Sequence, residues 1–353
     1  MNNIIAFSAP QRRLGFQDQA HELISNFATQ RRGPGDVFWL KENAELLNIL
    51  ECSGTVLGDN TLEPLGKFYQ TLPDRLSFFP QYYRFLLSIC LDLEDLGLGG
   101  DLGEILCNWV AEQGLADAEL SDLQRGEARR LLARRSVMLD DAGLNDRLHQ
   151  FIGRSETFAV PNKKAAYELT HIVFYLSEYG RKDPQLSVAA VQSLQFAGIL
   201  AYLDQNTDLL AEVCIALRFA GHQPSQIWED NVTECLAEFT AIEAKTMPSA
   251  DQYHEYFVAN WMAICAKRPV LHAPIPAGPV RFERKNHVVG PLRNMSACLY
   301  QMRDARNSDW SRMQRVVEQS VSAEEGDILR AAQQSSTDFE AFFEGFSRMN
   351  VAG

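Results

Sequence analysis

Apolar residues with the spacing of an α-helix recur along almost the whole chain. Residues 36–52 carry apolar side chains at 37, 38, 40, 46, 47, 49 and 50, which fall on one helical face. Segments with similar periodicity are separated by short breaks, many of which contain Gly or Pro. The pattern predicts helices over 17–31, 36–52, 80–96, 101–113, 118–135, 141–152, 163–179, 187–204, 207–220, 224–244 and 249–267, with helical patterning again over 292–349. No convincing strand and no βαβ series is evident, so the predicted fold class is all-α.

The sequence predicts where the helices lie more firmly than it predicts how they pack together. Successive helices joined by short turns predict an α/α solenoid or a toroid-like closed array. No repeat of fixed period is found, so a large irregular helical bundle is the alternative. The predicted organisation is a main helical domain over 1–267, a Pro-rich loop or lid over 268–291, and a C-terminal helical extension over 292–353. The loop is set apart by its composition, since it holds five of the fourteen prolines.

Composition limits the partners and the compartment. With 33 Lys and Arg against 46 Asp and Glu, the net charge is −13, which disfavours general nucleic-acid or anionic-membrane binding. The N-terminal sequence lacks the basic and apolar regions of a signal peptide, and the seven cysteines show no CxxC pairing. We therefore expect a cytoplasmic protein with reduced thiols. Its predicted ligand is a small molecule or a peptide, and a homo-oligomer is left open.

Segment 163–179 places polar residues on a stripe opposite an apolar face. Its sequence is KKAAYELTHIVFYLSEY, and the polar positions lie at i, i+3, i+7 and i+10. One interpretation is a stripe that faces an internal cavity, and the other is the solvated face of an amphipathic helix. The residues of this stripe are Glu168, His171, Tyr175 and Glu178.

Segment 207–220 is apolar nearly all round, which is typical of a buried helix. Asp208 and Glu212 lie four residues apart on one face. An acid in the first turn favours the helix dipole, which explains Asp208 without a function. Glu212 lies further in, and a buried carboxylate there needs a metal, an Arg or a His as partner. On segment 249–267, His254 is the corresponding candidate, although a lone His on an apolar helix is more often part of the core.

Two acid-x-x-His pairs predict a more specific chemistry. Glu168 precedes His171 and Asp251 precedes His254 by three residues, so each pair shares one side of a helix. Di-iron carboxylate proteins use such pairs together with carboxylates from other helices, here Glu212 and either Glu127 or Asp146. A divalent metal such as iron or zinc is thus a predicted cofactor. The predicted ligands are Glu168, His171, Glu212, Asp251 and His254.

Three short elements resemble a family. Residues 169–180, with Thr170-His171, an apolar run and Ser177-Glu178 before Gly180, are followed by Asp208-Leu-Leu-Ala-Glu212 and Tyr253-His254. Over about residues 160–265, the chain resembles uncharacterised all-helical proteins of bacterial biosynthetic gene clusters. The resemblance brings no known activity. It implies that one constellation is formed by His171, Glu178, Asp208, Glu212 and His254.

These residues lead to one main functional prediction and two alternatives. The main one is a biosynthetic enzyme with a His/carboxylate site in a helical cavity, either acid/base or metal-dependent, in which that constellation is catalytic. The alternatives are a non-catalytic helical scaffold that binds a protein partner and a di-iron carboxylate oxidase or oxygenase. The scaffold predicts that His171 and His254 lie far apart, whereas the enzyme predicts a shared cavity.

Overall fold

Helices dominate the computed structural model of the protein, which describes residues 16–245, 251–268 and 274–349. The helices of the first half are α1 Phe16–Thr29, α2 Val37–Cys52, α3 Glu63–Gln70, α4 Leu72–Phe78, α5 Tyr83–Asp95, α6 Leu102–Glu112, α7 Asp122–Ala133, α8 Leu144–Ile152 and α9 Ser155–Phe158. Those of the second half are α10 Lys163–Leu176, α11 Val188–Leu203, α12 Thr207–Phe219, α13 Gln226–Ala237, α14 Tyr253–Cys265, α15 Leu292–Met302, α16 Trp310–Gln319, α17 Ala323–Ser335 and α18 Phe339–Phe346. Two 3-10 turns lie at Pro80–Tyr82 and Arg303–Ala305.

The all-α prediction is confirmed, since the structure is 65% helical. It needs one correction, because a small antiparallel sheet is present. Its strands are β1 Phe239–Glu243 and β2 Val280–Arg284, with Phe239 opposite Arg284. The helix predicted over 224–244 therefore ends at Ala237, and the Pro-rich segment contains a strand. Helices α3, α4 and α9 were not predicted, and the predicted start at Ser249 lies outside the described residues.

Side-chain caps fix the starts of the helices that matter most for the site. Asp36 accepts a hydrogen bond from the Phe38 N–H at the start of α2. Asn162 and Asn206 each accept a hydrogen bond from a backbone N–H of their own helix, at the starts of α10 and α12. Each cap satisfies a backbone N–H that has no partner within the helix.

The centre of the fold is α12, whose residues 209–217 are all buried. It packs against α10, α11, α13 and α14, and α14 packs in turn against α2. Four helices thus surround one region, namely α2, α10, α12 and α14. No helix in the described part of the chain is long and apolar enough to cross a bilayer.

A buried ion pair holds the start of α14 in place. The Arg31 side chain is 0% exposed and pairs with Glu42 of α2 and with Asp251, which precedes α14. Arg31 also donates to the carbonyl of Val280 in β2. Because removal of one partner leaves buried charges unpaired, this group ties four segments together.

One cluster of buried apolar residues extends from Ala20 to Phe346 and includes residues of α15 to α18. It also includes Val280 and Phe282 of β2, so part of the Pro-rich segment packs into the core. The domain boundaries, the role of residues 268–291 as a lid, and the choice between solenoid, toroid and irregular bundle stay predictions.

Candidate functional site

The imidazole of His254, on α14, lies between carboxylates of two other helices. Its Nδ1 is 3.2 Å from Glu45 Oε2 of α2. Its Nε2 is 3.4 Å from Asp208 Oδ1 and 4.0 Å from Glu212 Oε1, both of α12. The ring therefore contacts acids through both nitrogens.

Glu212 Oε1 also faces the second histidine. His171, on α10, places its Nε2 3.5 Å from this oxygen. Both imidazoles thus lie against one carboxylate oxygen, within a single cluster. Only 3% of the Glu212 side chain is exposed, whereas 38% of His171 and 34% of His254 are exposed. The carboxylate lies at the bottom of the site and the rings reach solvent.

Hydroxyl groups of α10 orient the two acids of α12. Tyr167 donates a hydrogen bond of 2.8 Å to Asp208 Oδ2. Thr170 donates one of 2.5 Å to Glu212 Oε2. In each carboxylate, one oxygen accepts the hydrogen bond from the hydroxyl group and the other oxygen faces the histidines. Asp208 Oδ1 is fully buried and accepts no hydrogen bond from the described residues.

The charges shift the pKa values of the histidines upward. Burial alone lowers the pKa of His254, but its hydrogen bond to Glu45 and the charges of Glu45, Asp208 and Glu212 raise it to about 9. Burial likewise opposes the shift at His171, whose pKa is raised by Glu212 and, more weakly, by Glu127. Without another cation, His254 therefore holds a proton at neutral pH.

The pKa values of the carboxylic acids in the cluster shift in different directions. Burial raises the pKa of Asp208 to about 6, because His254 and the Tyr167 hydroxyl only partly offset the desolvation and the charge of Glu212. At Glu212 burial acts in the same direction, but the charges of His171 and His254 outweigh it and the pKa is lowered. The pKa of Glu45 is also lowered by His254, against the effect of burial.

Three of these residues are placed to share one ion. One ligand atom each of Asp208, Glu212 and His254 lies within 4.8 Å of the others. Ligand atoms that share one ion through bonds of about 2.0–2.2 Å lie at most about 4.4 Å apart, so this group needs at most a small contraction to hold one. His171 lies outside this group of three, next to Glu212. Two carboxylates and one imidazole suit a hard or borderline divalent ion.

Two predicted metal ligands are not brought into this group. Asp251 precedes the first turn of α14, so it does not share a helical face with His254, and both its oxygens pair with Arg31. Glu168 lies on α10 with Lys164 Nζ at 3.9 Å, and its side chain is partly exposed. For Asp251, the acid-x-x-His spacing therefore does not place the carboxylate on the helical face of His254. The paired di-iron arrangement stays a prediction.

Glu178 is also separate from the cluster. Helix α10 ends at Leu176, so Glu178 lies in the following turn with a φ of 47°. Its carboxylate pairs with Lys182 and is partly exposed. The predicted catalytic set thus divides into four residues that the structure brings together and Glu178, which lies elsewhere.

Sequence reasoning missed the residues that hold the ligands. Glu45 is on α2, far from the other residues in the chain, and nothing in its local sequence marks it. Tyr167 and Thr170 precede His171 by four residues and by one, so the face of α10 that contacts this cluster is rotated from the predicted stripe. The available signal for Tyr167 was its position four residues before His171, since residues four apart are neighbours on the surface of a helix.

Comparison with known proteins gives one match. No curated protein and no solved structure matches the chain. A family model described as a domain of unknown function, DUF6902, matches residues 1–349. The chain therefore belongs to the DUF6902 family.

Proposed function

We propose that the protein is a metal-dependent enzyme that acts on a small molecule. The ion is bound by Asp208 Oδ1, Glu212 Oε1 and His254 Nε2. His171 acts beside the ion as a general acid or base. The observation that carries this proposal is the convergence of three ligand atoms, one of which is a buried carboxylate oxygen without a hydrogen-bond donor.

The outer contacts support this choice. Each proposed ligand is held through its other polar atom, namely Asp208 by Tyr167, Glu212 by Thr170 and His254 by Glu45. Metal-binding imidazoles in proteins almost always carry a carboxylate, carbonyl or water on the second nitrogen. Electrostatics points the same way, since three clustered carboxylates attract a divalent cation.

Three protein ligands leave room for catalysis. Metal sites with three protein ligands keep at least one position for water or substrate, and a bound divalent ion polarises the group that occupies it. The imidazole of His171 is 3.5 Å from Glu212 and partly exposed. Glu212 keeps the pKa of His171 above its ordinary value, so the ring can hold a proton and deliver it to a substrate at the mouth of the site.

The biological setting is part of the proposal. The resemblance to proteins of bacterial biosynthetic gene clusters supports a small-molecule or peptide substrate. A cytoplasmic location is supported by the cysteines, since all seven are free. We propose no nucleic-acid partner for this acidic chain, and self-association remains open within the proposal.

A metal-free acid/base site is the second candidate. It is favoured by the pKa values, because at neutral pH Asp208, with a pKa of about 6, is a base and His254, with a pKa of about 9, is an acid. The scaffold alternative is less well supported, since it predicts distant histidines and both rings here contact Glu212.

Metal content separates these candidates. We expect about one equivalent of a transition metal in protein purified from supplemented medium without chelators. Asp208→Asn and His254→Gln reduce the content several-fold, and folding is checked by circular dichroism. The matched control is Glu168→Gln, which removes a carboxylate of α10 that is not among the three proposed ligands and leaves the content unchanged.

Each outcome selects one account. Less than a tenth of an equivalent in the wild type refutes the metal proposal and leaves the acid/base site. Two equivalents of iron that fall in Glu168→Gln favour the di-iron alternative. One equivalent that persists in folded Asp208→Asn places the ion elsewhere.

A further inference from the structure

A cavity lies between α7, α8 and the turn that follows α10. Its volume is about 440 Å³, in the range of small-ligand pockets. Apolar side chains such as Leu139, Leu148 and Leu176 form part of its wall. None of the proposed metal ligands lines it, so it is distinct from the site described above.

Two arginines line this cavity, and neither forms an ion pair with a carboxylate of the described residues. Arg130 is 8% exposed, and none of its nitrogens makes a hydrogen bond or an ion pair within the described part of the chain. Its guanidinium lies over the ring of Tyr179, 4.3 Å from the centroid. The polar contact of Arg129 is a hydrogen bond of 2.6 Å to Asn145 Oδ1.

An unpaired guanidinium this deeply buried is unusual. A buried charge is costly unless it is paired, and Arg forms its strongest pairs with carboxylates and phosphates. The acids nearby do not meet this need, since Asp92, on which the charge of Arg130 acts, is itself paired with Arg134. Glu178 pairs with Lys182, and Asp183 is exposed and accepts a hydrogen bond from the Gln185 N–H.

We propose that this cavity binds a small organic anion, whose carboxylate or phosphate group pairs with Arg130 and Arg129 and whose apolar part contacts the leucine wall. The cavity borders the first site through Tyr175, which lines it and whose ring centroid is 6.1 Å from that of His171. We therefore expect a bound anion to affect His171 through Tyr175. The proposal stands on the cavity and its arginines and does not depend on the metal.

Calorimetric titration of the full chain tests this, with EDTA present so that metal plays no part. The probes are benzoate and phenyl phosphate, with inorganic phosphate as the anion alone and benzyl alcohol as the neutral analogue. We expect saturable binding of benzoate, phenyl phosphate or both, and at least tenfold weaker binding of benzyl alcohol. The tighter of the two aromatic anions identifies the preferred group.

Variants of one helix locate the site. Arg129→Gln is expected to weaken binding of the anion at least about tenfold, since it removes a charged hydrogen-bond donor. Arg130→Gln removes it entirely, and if that variant does not fold, Arg129→Gln alone decides. The control is Arg125→Gln, four residues earlier on α7, which pairs with Asp141 outside the cavity and should bind as the wild type does. Equal affinity for benzyl alcohol and the anions, or unchanged affinity in Arg129→Gln, overturns the proposal.

Discussion

A metal ion and a proton compete for the imidazole of His254. The pKa of this imidazole sets the pH above which the proton no longer competes. A metal binds the neutral imidazole, so every unit of pH below the pKa of His254 weakens the apparent affinity about tenfold. With the pKa at about 9, the apparent dissociation constant should fall roughly a hundredfold between pH 6.5 and 8.5 and level off near 9. Below about pH 6 the slope steepens, because Asp208 also takes up a proton.

Glu45 provides the perturbation that tests this reasoning. Its hydrogen bond is the largest contribution that raises the pKa of His254. Glu45→Gln should move the levelling-off point from about 9 to lower pH, because both contributions of Glu45 to the pKa of His254 are lost while burial still lowers it. The expected signature is thus a shift in the pH of the break, whatever happens to the absolute affinity.

Loss of the free Mn²⁺ EPR signal on binding, measured from pH 5.5 to 9.5 under argon, provides the readout. Glu51→Gln is the matched control, since it removes a carboxylate from the same helix that pairs with Arg181. Its profile should follow the wild type. An affinity that does not change between pH 6.5 and 8.5, or a break that stays at the same pH in Glu45→Gln, would refute the proposed role of His254.

Two further predictions concern the frame that positions the site. Arg31→Met leaves the buried Asp251 without a cationic partner and Glu42 with Arg32 alone, and it should lower the free energy of unfolding by about 3–5 kcal/mol in urea titrations. Arg330→Met, at an exposed pair, should change it by less than about 1 kcal/mol, and equal effects of the two substitutions would contradict this. Gly290→Ala places a Cβ 2.0 Å from the backbone oxygen of Leu203 and should cost about 1–3 kcal/mol. The control is Gly33→Ala, where no atom lies within 4 Å, and comparable losses in both variants would argue against the close contact.

The helices could be predicted well because their periodicity is local. The region around α12 is an example, since the predicted 207–220 differs little from Thr207–Phe219. The sheet could not be predicted in the same way. Phe239 pairs with Arg284, which lies far along the chain, and the residues of β1 continue a helical pattern without a break. Such pairing depends on tertiary contacts that periodicity does not encode.

The ends of helices decided which site residues were placed correctly. His171, Asp208, Glu212 and His254 lie within helices, and the structure brings them together. Their roles stay predictions until they are tested. Asp251 lies before its helix, so the spacing rule did not apply to it.

The end of α10 separated Glu178 in a similar way. Residues 178, 179 and 180 have φ values of 47°, 54° and 83°, and of these only Gly180 favours a left-handed backbone. Helical propensity alone therefore extended the predicted helix too far. Glu45 could not be predicted for another reason, since its position beside His254 depends on how α2 packs against α14.

The most direct test of the central claim is an anomalous difference map from crystals of the protein as purified, collected above and below the absorption edge of the metal identified in it. The account predicts one peak about 2.0–2.2 Å from Asp208 Oδ1, Glu212 Oε1 and His254 Nε2. A map without a peak at these three atoms, in crystals where the residues are ordered, would contradict it.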